Sequence, residues 1–453
     1  MEYRKEAVNN ITDGALLPSF IAFMIPLMLS SLLMQSYAIA DGLILGNAIS
    51  QEALGSVSTC SSILDICTLI QLGLAGGCSI MVSHLHGARK YRDLGILIKD
   101  IRRLIIIFSL IIAAIAFLFT PQLLRLIHTP DTLFGGAARY LRINFAGVPF
   151  TALYSLQAGV LRGMGDSKRP LGGMAVSSAV NIGLDLLFVV ALDLGITGAA
   201  IATVAAEMLS AAYLWIRLED RRRSLPDSAQ PGDDSEVTGG RSKSDVRECI
   251  DLSIPQILQS VVSSAGNVLL QNITNILGAG VVIGVTVAFK VDSLLLIPIF
   301  CMSTAVAVFV GQNIGAEKPD RVRQTLRISS AAAVVFSVVM SLVLWKFGYP
   351  LFTLFGLDDA VAGIGYRYVL VCIPFYWIFG LQFVFHGFLN GAKHTGITSA
   401  ASITGLAGRL FLAYLGYKAL GSDVLPAAEV LSWIIAVVID IAAVLYFRKR
   451  EHK

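Results

Sequence analysis

The sequence is poor in charge. Aspartate, glutamate, lysine and arginine make up only 15% of its 453 residues, whereas hydrophobic residues make up 55%. A soluble chain of this length needs more charge to cover its surface, so these proportions exclude an ordinary soluble protein and predict a polytopic membrane protein. The net charge of +4 does not indicate nucleic-acid binding, because the basic residues lie in short loops rather than in one patch.

Motifs for several kinds of chemistry are also missing. None of the six cysteines forms a Cys-x-x-Cys pair, so neither a disulfide framework nor a cysteine metal site is predicted. The phosphate-binding pattern Gly-x-x-x-x-Gly-Lys-Ser/Thr is absent, and the sequence therefore shows no means of using ATP. A membrane enzyme would need a clustered nucleophile, base or metal set, whereas the six histidines are expected at helix ends and in loops. We expect neither an enzyme nor a cofactor.

Apolar runs of about 20 residues, the length that crosses a bilayer, occur twelve times. They lie near residues 15–47, 53–84, 101–120, 140–162, 170–192, 196–217, 249–277, 281–312, 326–346, 366–389, 396–417 and 427–447. Three prolines, Pro26, Pro255 and Pro298, are candidate bends in these runs. The sequence predicts an all-α polytopic membrane protein with twelve transmembrane helices.

The loops between the runs alternate between basic and base-poor. If the basic loops and both termini face the cytoplasm, roughly 27 of the 35 lysines and arginines lie inside, as the positive-inside rule requires. We expect a multi-pass protein of the cell membrane with both termini in the cytoplasm.

A polar segment divides the chain. Residues 220–245, DRRRSLPDSAQPGDDSEVTGGRSKSD, are rich in charge, proline, glycine and serine, which predicts a disordered cytoplasmic linker. An N-terminal lobe of six helices, 1–219, precedes it, and a C-terminal lobe of six helices, 246–453, follows it.

The two halves resemble each other at an offset of roughly 225–229 residues, which indicates an internal repeat. The matches include Ile25-Pro26 with Ile254-Pro255, His86-Gly-Ala-Arg-Lys90 with Ile314-Gly-Ala-Glu-Lys318, and Gly159-Val-Leu-Arg-Gly163 with Gly387-Phe-Leu-Asn-Gly391. Because each half has six helices, both enter the membrane in the same orientation. The expected symmetry is a pseudo-two-fold axis along the membrane normal, with a cavity between the lobes.

Two acidic residues, Asp41 and Asp185, lie inside predicted membrane helices. An ionisable group there costs at least roughly 2.5–3.5 kcal/mol and is a functional-site hypothesis by default. Asn181 precedes Asp185 by four residues and therefore shares its helix face. Asp41, Asp185 and Thr203 each lie seven residues from the outer end of their helix, about 10 Å deep. They can therefore be neighbours.

The charge balance of this site is unusual, because we find no lysine or arginine at that depth in the membrane helices of the first half. Two close carboxylates without a base cannot both stay ionised, so they must hold a proton or a metal cation. Neutral oxygens would come from Asn181, Thr203 and Tyr37, and such hard ligands suit Na⁺ or a proton relay rather than zinc or copper. The alternative is that each aspartate hydrogen-bonds a neighbouring helix and never changes state.

Other polar residues in the apolar runs leave two interpretations open. Glu207 lies one turn below Thr203. It either extends the proton relay or serves as a structural hydrogen-bonding group. Asn267, Gln271 and Asn275 form a stripe on one helix face, lining the cavity or joining helices. Lys290 and Arg409 are the intramembrane bases of the second half. Arg409 is expected to pair with an acid or with carbonyl groups at the lobe interface rather than to bind substrate.

Taken together, several motifs make the chain similar to the multidrug and toxic compound extrusion (MATE) family over nearly its whole length, the linker excepted. They are Ile25-Pro26, Asp41-Gly42 with Leu45-Gly46, Gly159-Val-Leu-Arg-Gly-Met-Gly-Asp166, Asn181 to Asp185, Gly198-Ala-Ala-Ile-Ala-Thr203 and Gly311-Gln-Asn-Ile-Gly-Ala316. The resemblance implies two six-helix bundles around a V-shaped cleft. It also implies export of organic cations and other amphipathic drugs in exchange for Na⁺ or H⁺.

The acids resemble the branch of this family whose cation site lies in the N-terminal lobe. The matching positions are Tyr37, Asp41, Tyr140, Asn181, Asp185 and Thr203. Gln157 stands where an asparagine is expected, and the resemblance makes Pro26 the hinge of the first helix. A monomer in contact with membrane lipids and drug-like substrates is expected. The alternative is a flippase for lipid-linked precursors, whose cleft would need many bases for pyrophosphate, whereas only Lys290 and Arg409 qualify.

Overall fold

A computed structural model describes residues 11–226 and 239–451, and its described residues form helices without any β-strand. The helices of the first half are α1 Leu16–Ala48, α2 Gln51–Gly87, α3 Tyr91–Leu118, α4 Thr120–Leu126, α5 Asp131–Gly163, α6 Lys168–Asp185, a π-helical segment Leu186–Ala191 that continues α6, and α7 Gly195–Arg223.

The second half repeats this order with more interruptions. Its elements are α8 Gly239–Ile276, α9 Ala279–Leu295, α10 Ile297–Gly315, α11 Pro319–Leu354, α12 Asp359–Cys372, a 3₁₀ turn Ile373–Phe375, α13 Tyr376–Gly391, α14 Thr395–Leu420, a 3₁₀ turn Gly421–Asp423 and α15 Val424–Glu451. Each of the twelve predicted runs falls on one helix or on two consecutive helices, which confirms the all-α fold.

Helix ends and membrane runs do not coincide everywhere. In the described part of the chain, nine stretches are long and apolar enough to cross a membrane, and the last of them, Thr395–Phe447, contains two predicted runs. The predicted runs at 140–162 and 249–277 lie in α5 and α8, which begin about ten residues earlier. Hydropathy identifies only the apolar part of a helix, whereas backbone hydrogen bonding carries the helix into polar sequence.

The described chain forms two compact units. The first unit is Ile25–Ile254, and the second unit combines Met1–Met24 with Pro255–Lys453. The chain therefore passes between units inside α1 next to Pro26 and inside α8 next to Pro255, and both prolines lie within their helices. Each removes a backbone hydrogen bond at the crossing point. The third candidate bend, Pro298, lies in the first turn of α10, just after the break between α9 and α10.

The linker predicted at 220–245 is only partly described. Helix α7 continues to Arg223 and α8 begins at Gly239, so both ends of that range are helical. Residues 227–238 lie outside the described residues.

The internal repeat is visible in the turns that end the helices. Four pairs of residues have positive φ angles, and in each pair the second residue follows the first by the same number of positions. The pairs are Arg89 and Glu317, His128 and Gly356, Gly165 and Lys393, and Asp193 and Gly421. A left-handed residue after the last helical turn is a common way to stop a helix. Both halves therefore end four of their helices at equivalent places.

The repeat also governs helix packing. In each unit, two glycines four residues apart press one helix against backbone carbonyl groups of another, where a methyl group would overlap. The contacts are Gly159 with Ala75, Gly163 with Ser79, Gly387 with Ser303 and Gly391 with Ala307. Small residues allow such close approach of membrane helices. The repeat found in the sequence thus fixes equivalent helix contacts within each unit.

A second close contact in the first unit joins α2 to the beginning of α8. The Sγ atoms of Cys78 and Cys249 lie 3.0 Å apart, and both side chains are buried. Gly77 makes this approach possible, since a Cβ there would lie 2.9 Å from the carbonyl oxygen of Cys249. Both thiols are free.

We expect mild oxidation to join Cys78 to Cys249, because the two sulfurs need to approach by only about 1 Å to reach bonding distance. A protease site inserted between residues 226 and 239 would separate the two cysteines onto different fragments. After treatment of membranes with copper–phenanthroline and cleavage, the fragments should migrate together on a non-reducing gel and separate after reduction.

The variant Cys249→Ser should abolish this link, whereas Cys301→Ser, on the same fragment, should leave it intact. Separate fragments from oxidised wild-type protein would contradict the packing of α2 against α8.

Candidate functional site

Three elements of the first unit, α1, α6 and α7, meet at the predicted acid site. Tyr37 and Asp41 lie four residues apart on α1, and Asn181 and Asp185 lie four apart at the end of α6. Residues at this spacing share one helix face. Asp185 is completely buried and Asn181 is 1% exposed, so the structure places these side chains inside the unit.

The carboxyl groups of Asp41 and Asp185 are neighbours, close enough to act as hydrogen-bond partners for each other. Yet both oxygens of Asp185 and Oδ1 of Asp41 have no donor among the described residues. An ionised carboxylate only accepts hydrogen bonds. A bond between these two groups therefore requires a proton on one of them, and without that proton a cation must balance their charge.

Neutral groups surround the pair. The Asn181 amide donates to Thr203 Oγ1 over 3.4 Å, and the Thr203 hydroxyl donates to the carbonyl of Ala199 over 3.0 Å. The Tyr37 side chain lies next to Thr203. Asn181 Oδ1 is buried and receives no hydrogen bond from the described residues, which leaves an amide oxygen available beside the carboxyl groups.

A small apolar cluster fixes the three elements one turn away from the polar groups. Leu45, Val189 and Ala199 pack together, each 1% exposed. Leu45 follows Asp41 by four residues, Val189 follows Asp185 by four, and Ala199 precedes Thr203 by four. Close packing of this kind resists separation of the elements, so the two acids cannot relieve their repulsion simply by moving apart.

The helix that carries Asp185 changes its geometry directly after this residue. Residues Leu186–Ala191 form a π-helix, where the sequence predicted an uninterrupted helix over 170–192. Such π-bulges often mark functional sites. Gly198 of α7 lies against this segment, and a Cβ there would be 3.0 Å from the backbone of Phe188.

Tyr140 and Glu207 complete the surroundings of the pair. Tyr140, on α5, is 8% exposed and lies within electrostatic range of Asp41 and Glu207. Glu207 is half-buried on α7, and its Oε2 lies 3.0 Å from the position that a Cβ of Gly147 would take. Glu207 thus packs between α7 and α5, one turn from Thr203.

Two bases of the first half lie on α5, the helix that carries Tyr140. Arg139 and Arg142 lie on either side of Tyr140 in α5. Both are exposed and line a groove, where the Arg142 guanidinium lies 5.7 Å from the Phe117 ring. The ion pairs of the described residues include neither Asp41 nor Asp185. The acid pair therefore has no basic partner there.

The structure does not bring Gln157 to the site. It lies on α5 seventeen residues after Tyr140, about 25 Å farther along the helix axis. Its side chain is fully buried, and neither amide atom has a hydrogen-bond partner among the described residues.

The remaining predicted residues belong to the second unit. Asn267, Gln271 and Asn275 form an exposed stripe on α8, in which the Gln271 amide donates to Asn275 Oδ1 over 2.9 Å. Lys290 is exposed on α9. None of them shares a compact unit with Asp41 and Asp185.

The acids inside the second unit have partners. Arg409 pairs with Glu429 within that unit. The Tyr376 hydroxyl donates to Asp292 over 2.6 Å, and His386 Nε2 lies 3.0 Å from Asp440 Oδ2. The expectation that all histidines lie at helix ends or in loops is wrong for His386, which is buried within α13.

Sequence reasoning did not consider Glu429 and Asp440, although a signal was present. Both lie in the predicted run 427–447, where an ionisable residue is a functional-site hypothesis just as Asp185 is.

Comparison with known proteins agrees with this architecture. The family model MatE matches residues 26–187 and 254–415. The chain is 27% identical over 384 residues to the Bacillus subtilis protein named "Probable multidrug resistance protein YpnP", covering 84% of each chain. It is 25% identical over 402 residues to the FAD transporter of Shewanella oneidensis, covering 88% of this chain and 86% of that protein.

A solved structure shows the same fold. It is the outward-facing conformation of a multidrug resistance MATE family transporter of the MOP superfamily. The TM-score is 0.87 at 19% identity, with 98% of each chain covered. Solved members of this kind have the twelve-helix, two-lobe fold, which agrees with the predicted fold class.

We expect Arg409→Leu to destabilise the protein by about 3–5 kcal/mol, because it leaves the Glu429 carboxylate in a mostly buried position without its partner. The double variant Arg409→Leu/Glu429→Leu removes both charges and should recover most of the loss. Thermal unfolding in detergent, followed by size-exclusion chromatography, measures both effects. Equal losses in the single and double variants would show that the ion pair does not determine stability here.

Proposed function

Since the chain belongs to the MATE family of membrane transporters, we propose that it exports small amphipathic or cationic drug-like compounds in exchange for H⁺ or Na⁺. Members of this family are transporters and not enzymes. The observation that carries the exchange is the contact between Asp41 and Asp185, two carboxyl groups without a donor or a base among the described residues. The Bacillus subtilis relative is named as a probable multidrug resistance protein, which supports drug-like compounds as the substrate class.

The site offers a suitable set of ligands for either ion. A proton would be shared between the two carboxyl groups. Na⁺ would be held by carboxylate oxygens of Asp41 and Asp185, by the open amide oxygen of Asn181 and by the Thr203 hydroxyl, all hard oxygen ligands. Tyr37 and Tyr140 border the pair.

Loss of the ion would leave two like charges held close together by the surrounding packing. Two unit charges about 4 Å apart repel each other by about 4 kcal/mol at an effective dielectric constant of 20. The repulsion acts between α1 and the end of α6, where the Leu45 cluster and the π-helical segment hold the elements together. Ion binding and release would thus favour different packings of α1, α6 and α7.

Helix α1 is the natural path for this change. Asp41 lies on its part within the first unit, while residues up to Met24 belong to the second unit, with Pro26 next to the boundary. A bend at Pro26 would let one part of α1 move while the other stays packed. Alternating access would follow, with drug released outward and the ion released inward. One charge moved across 100 mV contributes about 2.3 kcal/mol to this cycle.

Lipid-linked pyrophosphate flipping receives less support from the described residues. Of the two bases considered for such a cleft, Arg409 is paired with Glu429, so only Lys290 remains. The proposed setting is the cell membrane with both termini in the cytoplasm, as the distribution of basic loops favours.

We expect Asp41→Asn and Asp185→Asn each to reduce dye efflux from cells about tenfold or more, because an amide cannot take up and release a proton or balance a cation. Ethidium efflux measures the effect, and size-exclusion profiles show whether the variants remain folded. Asp193→Asn is a matched control, because this exposed residue has φ 50°, a conformation that asparagine tolerates. Wild-type efflux from either site variant would refute the coupling role.

We expect purified protein in liposomes to transport faster under one of two separately imposed gradients, of pH or of Na⁺, because only one ion needs to neutralise the pair. The Asp185→Asn protein should lose this acceleration. Uptake of a fluorescent cation at equal membrane potential provides the measurement. Equal transport rates with and without each gradient would contradict ion exchange.

A further inference from the structure

A groove of about 850 Å³ opens on the surface of the first unit between the outer parts of α3 and α4, α5 and α7. Its walls are almost entirely apolar. Among the lining residues are Phe117, Pro121, Phe134, Ile143, Ile201 and Met208. Phe117, Ile201 and Met208 are each at least 40% exposed, so the groove faces the surroundings of the protein rather than its interior.

Among the described residues, Arg139 and Arg142 are the only charged ones that line this groove. They lie three residues apart on α5 and therefore point to the same side. Within residues 11–226 and 239–451, no acidic side chain forms an ion pair with either of them. An arginine keeps its charge at any physiological pH, so two uncompensated positive charges lie beside an apolar groove.

Arg142 lies level with the end of the neighbouring helix α3. Phe117 lies one residue before the end of α3, and Pro121 follows in α4. Since Arg142 contacts Phe117, its guanidinium lies near the place where α3 leaves the apolar layer. Long basic side chains at helix ends reach toward the lipid headgroups in this way.

We propose that this groove binds one anionic phospholipid, with the phosphodiester against Arg139 and Arg142 and an acyl chain along the apolar walls. Guanidinium groups match the geometry of a phosphate through paired N–H donors. The apolar walls would exclude water from the chain and contribute area-dependent stabilisation. A cationic drug does not fit, because both arginines would repel it.

The position of the groove connects it with the acid site. Val204 lines the groove and also lies against Gly147, where a Cβ would be 2.7 Å from its side chain, and Glu207 contacts the same glycine. A bound lipid would therefore press on the contact between α5 and α7, the helices that carry Tyr140 and Thr203. This effect on transport rests on the proposed function, whereas lipid binding does not.

Native mass spectrometry of the full chain in detergent tests the binding directly. We expect wild-type protein titrated with phosphatidylglycerol to retain one lipid in preference to phosphatidylcholine. The double variant Arg139→Gln/Arg142→Gln should retain phosphatidylglycerol about tenfold less, because two headgroup contacts are lost. Arg125→Gln is the matched control, since this exposed arginine in α4 does not line the groove.

A second variant, Ala146→Trp, fills the groove without changing its charge and should also reduce retention. Equal retention of both lipids by wild-type protein would overturn the headgroup contact. Unchanged retention by the double variant would do the same. Displacement of the lipid by millimolar inorganic phosphate would overturn the role of the apolar walls. Lipid binding is measured here without transport. A failure of lipid binding can therefore be told apart from a failure of the proposed ion exchange.

Discussion

The contact between Asp41 and Asp185 is the constraint on which the first unit depends. Two carboxyl groups face each other where Asp185 is fully buried, and no described donor or base satisfies their oxygens. Such an arrangement is unfavourable unless an ion joins them. The apolar cluster around Leu45 holds the elements in place one turn away. This unbalanced pair is the feature of the first unit on which the proposed ion exchange rests.

The internal repeat duplicates the scaffold but not this chemistry. Equivalent turns stop the helices of both halves, and equivalent glycines bring α5 to α2 and α13 to α10. At the positions equivalent to Asn181 and Asp185, however, the second half has Arg409 and Ala413. Arg409 already neutralises Glu429. One copy of the fold thus carries a pair of acids without a basic partner among the described residues. The other copy carries acids that have partners within the same unit.

Local sequence signals predicted most of the scaffold and the central part of the site. Apolar length identifies membrane helices, and the spacing of Asn181 and Asp185 places them on one face. Contacts between distant segments, such as Cys78 with Cys249 or His386 with Asp440, follow from tertiary packing that no local pattern records. The π-helical segment after Asp185 was also missed, because its residues, Leu-Leu-Phe-Val-Val-Ala, fit an α-helix equally well. Gln157 was placed with the site by analogy alone, and its position along α5 separates it.

Helix α5 explains how two arginines can lie near the acid pair without neutralising it. Successive residues of an α-helix are rotated by about 100°, so Tyr140 and Asn144 share one face while Arg139 and Arg142 point elsewhere. Tyr140 and Asn144 are buried, whereas both arginines are exposed. A guanidinium at position 140, which lies within electrostatic range of Asp41, would add a permanent positive charge beside the pair. The proposed exchange therefore requires that the arginines of α5 stay on its outer face, away from the acid pair.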